Sequence, residues 1–165
     1  MSTSSNSLND AHTNAAVAKE AAANAASYEH ISTSCLDGVS DMQISIGENG
    51  SAAQNLALAK NAERCVDGIH FDSQHPHKEK AMQLKALAVM NFIKAGDSKS
   101  AKKSFDEFIR QFPQQDLFFS DYSSFVDTAT ALLNHKSLSK NQLMVLNINQ
   151  AMRDDLVRQY HWRRN

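Results

Sequence analysis

Breakers of regular structure are scarce in this chain. Only 5 glycines and 2 prolines punctuate 165 residues, which disfavours a turn-rich β architecture and favours long helices. No run of ~18 apolar residues occurs, the length a helix needs to cross a bilayer, so no membrane span is expected. The opening MSTSSNSLNDAH has neither the basic nor the apolar region of a signal peptide. Charge of one sign is also lacking. The net charge is -1, which argues against strong nonspecific binding to nucleic acid. No P-loop, GxGxxG, GxSxG or HExxH is present, so no catalytic residue, cofactor or enzymatic activity is expected. Cysteine is limited to Cys35 and Cys65, with no CxxC and at most one bridge between them. The expectation is two reduced thiols in a cytoplasmic protein. The alternative is a disulfide tying the N-terminal segment to the following helix, in a periplasmic or secreted protein whose leader was removed.

What the chain does contain is helical patterning. Residues 1–10 are Ser/Asn-rich and expected to be disordered. Residues 11–50 are expected to be an Ala-rich helix and a loop. Alanine is the best helix former, and a thin face of Ala15, Ala18, Ala22, Tyr28 and Ile31 predicts a helix up to about Ser32. Gly38, Gly47 and Gly50 then predict a loop over 35–50, with at most a short helix or extended piece at Met42–Ile46. A second helix is predicted from Ser51, its N-cap, to Gly68.

The linker IHFDSQHPHKE gathers His70, Asp72, His75 and His77. Imidazoles and carboxylates ligate transition metals, so metal binding is an alternative reading. Pro76 holds the segment extended and aims the flanking rings apart. The preferred reading is therefore a polar linker, with Pro76 at the first position of the next helix and no metal ligand assigned.

From His77 to Pro113 the sequence predicts two helices and one tight turn. Leu84, Leu87, Ala88, Val89, Phe92 and Ile93 recur at helical spacing. Gly96-Asp97 breaks the pattern, and Ser98 or Ser100 is a candidate cap. Ala101, Phe105, Phe108, Ile109 and Phe112 predict the buried face of the second helix. Pro113 ends it.

This unit resembles the tetratricopeptide repeat, a helix–turn–helix of ~34 residues. Gly96-Asp97 stands at the turn dipeptide, Ala101 at the small crossing residue, Phe105 at the large apolar residue, and Phe112-Pro113 at the close. The departures are Lys85, where an aromatic is expected, and Val89, where a small residue is expected. A degenerate second copy is read in QQDLFFSDYSSFVDTATALLN, with Phe119, Tyr122, Ser123 and Val126 at the contact positions of its first helix. A closing helix over 139–161 is predicted from a Ser139/Gln142 capping box and a stripe of Val145, Ile148, Met152, Leu156 and Tyr160.

Taken together, the expected fold is all-α, with antiparallel tetratricopeptide-like hairpins across 51–165. The resemblance implies protein binding through a groove lined by the first helix of each pair. It also implies a chaperone, adaptor or assembly factor; the chain's size extends that expectation to a bacterial secretion or surface system. The candidate partner-binding residues are Leu87, Met90, Ile93, Phe119, Tyr122 and Trp162. The partner would be another protein or a peptide. Residues 77–113 hold eight cations against four carboxylates, while residues 1–60 hold two against six, so a homodimer or structural homo-oligomer is the rival reading.

Overall fold

A computed structural model describes residues 14–19 and 28–164. The fold is all-α. The helices are α1 (Thr33–Ile46), α2 (Ala52–Val66), α3 (Lys78–Lys94), α4 (Ser98–Gln111), α5 (Phe125–Asn134), α6 (Lys140–Val145) and α7 (Gln150–Arg164), with a 3-10 turn at His135–Ser137. Residues 14–19 are also helical and exposed, and the rest of the predicted Ala-rich helix up to 27 lies outside the described residues. Residues 28–32 are not helical. Ile31 is buried in the core from this irregular segment rather than from a helix face.

The elements form where local chemistry is unambiguous. Ser51 accepts the N–H of Gln54 while the Gln54 side chain accepts the N–H of Ser51, a reciprocal box that starts α2. Gly96 at φ +77° ends α3. The N–H of Asp97 bonds Phe92 O at 2.9 Å and that of Gly96 bonds Ile93 O at 3.0 Å, which satisfies carbonyls left over at the helix end. The cap of α4 is Asp97, not Ser98 or Ser100: its carboxylate accepts the N–H of Ser100 at 3.1 Å. Pro76 is not at the first position of α3 but just before its N-cap, His77.

Consecutive helices pack side by side, α2 on α3 and α3 on α4 most extensively, so α3 sits at the centre. Ala59, Ala62, Ala88 and Ala101 are fully buried and let the backbones approach closely. The rings of Phe105, Phe108 and Phe125 meet edge-on at 5.0–6.0 Å, joining α4 to α5. A smaller cluster of Ala131, Leu143, Ile148 and Leu156 holds α6 and α7 on α5.

Five further expectations are corrected. Residues 35–46 are helix rather than loop, which leaves only 47–50 as the connection, because Cys35, Val39, Met42 and Ile46 form a helical stripe against α2 and Gly38 faces open space inside the helix. Cys35 and Cys65 are not free thiols; they are joined in a disulfide. The segment of the second copy carrying Phe119 and Tyr122 is a loop, and its helix begins only at Phe125. The closing helix is broken at 146–149, where Val145 is 82% exposed while Leu143 and Ile148 are buried. Ile109 is 41% exposed rather than part of the buried face of α4.

Candidate partner-binding groove

The outward side of α3 carries Lys80, Gln83, Leu87, Met90 and Lys94 at spacings of three and four, which share one helix face. This face meets the loop 114–124 that precedes α5. Side-chain bonds shape that loop. The Asp116 carboxylate accepts the N–H groups of Leu117 at 2.7 Å and Val126 at 3.0 Å, and the Ser124 hydroxyl as well. Asp121 accepts the N–H of Ser123 at 3.0 Å, its hydroxyl at 2.5 Å and the Asn149 amide at 3.2 Å. The Ser123 hydroxyl, its N–H and then Asn149 hold the Asp121 carboxyl below its ordinary value. Backbone bonds run from Phe119 N–H to Ser123 O and from Phe125 N–H to Leu117 O, and Tyr122 takes φ +64° in the turn.

The loop therefore presents its aromatic side chains from a pinned backbone. Between it and α3 lies a groove of ≈ 350 Å³ lined by Ala86, Leu87, Met90, Leu117, Phe118 and Phe119, with Gln83, Asn91, Lys94 and Phe125 completing it. Phe118 is 64% exposed and Phe119 is 39% exposed. A second hollow of ≈ 480 Å³ lies between α1 and α3, lined by Leu36, Val39, Lys80 and Leu84. It shares Gln83 and Leu87 with the first, so the two run together along α3.

Of the candidate residues, Leu87, Met90 and Phe119 are brought into this one groove. Ile93 is half-buried and packs against the core instead. Tyr122 is 83% exposed at the loop tip but lines neither hollow. The Trp162 side chain lies outside the described residues. Phe118 and Leu117 escaped the sequence reading, which placed this segment on a helix; the Phe118-Phe119 pair was the available signal.

A third hollow, of ≈ 650 Å³, is polar and lies between α2 and α4. At its floor the buried Lys85 ammonium bonds Glu107 at 2.6 Å and stands 3.7 Å from Glu63, and the Ser104 hydroxyl donates to Glu63 at 2.6 Å. Lys85, the departure from the repeat pattern, thus ties α2, α3 and α4 together. Lys60, Arg64, Lys103 and Arg110 surround it, interleaved with Glu63, Asp67 and Glu107, so the carboxylates offset only part of the cleft's positive charge.

The linker histidines do not converge on a metal site. Both ring nitrogens of His75 bond main-chain groups. Among the described residues no group of three or more His, Cys, Asp or Glu side chains is placed to hold a metal ion. No helix of the described residues is long and apolar enough to cross a membrane. No family model, curated protein or solved structure matches the chain.

Proposed function

We propose that this protein is a binding module, of adaptor, chaperone or assembly-factor type, that holds an apolar segment of another protein along α3. One observation carries the reading: Leu87 and Met90 of α3 and Phe119 of a distant loop line a single apolar groove. An amphipathic segment with apolar side chains one turn apart fits such a groove. Lys80 and Lys94 at its ends, ~21 Å apart along the helix axis, favour acidic flanks. The flexible Met90 suits varied side chains. The resemblance of 77–113 to a tetratricopeptide repeat supports the same use of α3, a first helix of a pair. The disulfide supports an oxidising compartment, where such bonds persist.

Peptides selected from a displayed library against the oxidised protein test this. Burial of a partner side chain against Leu87 or Met90 contributes about 1.5–3 kcal/mol each, so Leu87→Ser with Met90→Ser should weaken the selected peptides at least about tenfold. The circular dichroism and melting transition should be retained. Unchanged affinity, or a collapsed transition, would remove the groove from consideration. Self-association abolished by the same variant would instead identify a second copy as the occupant.

A further inference from the structure

We propose that His75 and His77 form an acid-sensitive latch, which holds residues 28–31 on the helical body and releases them when the imidazoles take up protons. The segment enters from outside any helix, yet Ile31 is buried in the core. The Tyr28 ring packs on His75 with centroids 4.9 Å apart, and His75 in turn packs on Phe71 at 4.7 Å. The His30 ring lies 5.0 Å from that of His77.

The hydrogen bonds require neutral rings. His75 Nε2 stands 2.8 Å from the Glu29 carbonyl oxygen, so it donates. His75 Nδ1 accepts the His77 N–H at 2.9 Å, which needs a free lone pair. His77 Nδ1 likewise accepts the Ile31 N–H, at 3.3 Å. A proton on either Nδ1 sets N–H against N–H and breaks the bond. Imidazolium at His75 and His77 would also place positive charges within one cluster, beside His30.

Other charged groups surround the latch. Tyr28, Glu29 and His30 belong to the held segment, Asp72 to the linker, Lys78 and Glu79 to the start of α3, and Asp116 to the loop before α5. Two of the carboxylates, Asp116 and Asp72, are already engaged. Asp116 is engaged by Leu117, Val126 and Ser124, and Asp72 accepts the N–H of Gln74 at 2.9 Å and faces Tyr28. Burial, followed by the neighbouring His30 and His75, lowers the His77 imidazole below its ordinary value of 6.5. The neutral form closes the latch, so closure is complete above that value and is lost as pH falls below it. Release stops short of α1, because the Cys35 disulfide anchors the helix four residues beyond Ile31.

Backbone amide exchange on the oxidised protein at about pH 7 and about pH 5, corrected for intrinsic rates, tests the latch. Ile31 should lose at least about tenfold in protection at the lower pH while the α2 and α3 amides keep theirs. In His75→Gln with His77→Asn, amide groups that do not titrate replace the same donor and acceptors, and the loss should disappear. Equal protection of Ile31 at both pH values, parallel loss in α3, or the same loss in the double variant overturns the proposal. Should that variant not fold, the wild-type imidazole resonances decide. His75 or His77 titrating with the Ile31 amide shift supports the latch, and titration without any movement of Ile31 overturns it.

Discussion

Cys35 and Cys65 close the open end of a helical hairpin. Cys35 lies in the first turn of α1 and Cys65 in the last turn of α2, with Cα atoms 5.6 Å apart. The opposite end is closed by the 47–50 turn and the Ser51/Gln54 capping box. The bond spans 30 residues of sequence, for which loop-closure entropy corresponds to about 3–4 kcal/mol. Reduction, or Cys35→Ser with Cys65→Ser, should lower unfolding stability by about that amount in a urea titration. Equal midpoints for oxidised and reduced protein would contradict the bond. Thiol titration of natively isolated, denatured protein should find no free cysteine.

Ala101 is fully buried where α4 crosses α3. Ala101→Leu adds methylenes where no space exists and should cost about 1–3 kcal/mol. A melting temperature equal to that of the wild type would show that the crossing is looser than the packing implies.

Lys85 gives a directional test. Its ammonium is buried, whereas Glu63 and Glu107 are partly exposed. Glu107→Gln removes the negative charge from the shorter contact, at 2.6 Å, and should cost about 1–2 kcal/mol once solvent screening of the carboxylate is allowed for. Lys85→Met should be milder than Lys85→Ala, because Met refills the volume while Ala also leaves a cavity. Chemical denaturation of the three variants gives the order.

Acid should loosen the aromatic loop through Asp121. Its carboxyl is held below the ordinary 3.8, first by the Ser123 hydroxyl and next by the Ser123 N–H. A lowered carboxylate contributes stability that is present above its unfolded value and is lost as pH falls through the folded one. Wild-type protection at Ser123 should therefore decline in strong acid, below 3.8, well under the pH at which the histidines act. Asp121→Asn should already show the reduced protection at neutral pH. Amide exchange at Ser123 measures both.

The parts of the fold legible in the sequence are those governed by neighbours along the chain. The Ser51 N-cap, the Ser139 capping box, the Gly96 turn and the apolar spacing of α3 are local, and they stand where the sequence put them. Leu87, Met90 and Phe119 were likewise among the partner-binding candidates, beside Ile93 and Tyr122, which do not line the groove.

Tertiary structure decided the rest. Gly38 weakens α1 in isolation; packing of Cys35, Val39, Met42 and Ile46 on α2, with the disulfide, offsets that weakness. The aromatic segment 117–122 has residues suited to a helix face. It stays a loop because Asp116 and Asp121 bond main-chain groups that a helix would have used. The bonds from Asn147 N–H to the Asp127 carboxylate and from Ser124 N–H to Asn147 O interrupt the closing helix in the same way. Asp127 and Asn147 lie 20 residues apart, a separation that no periodicity encodes. Phe118 consequently reached the groove while Ile93 went to the core, because a residue's face is set by what its element packs against, and that is a property of the assembled chain.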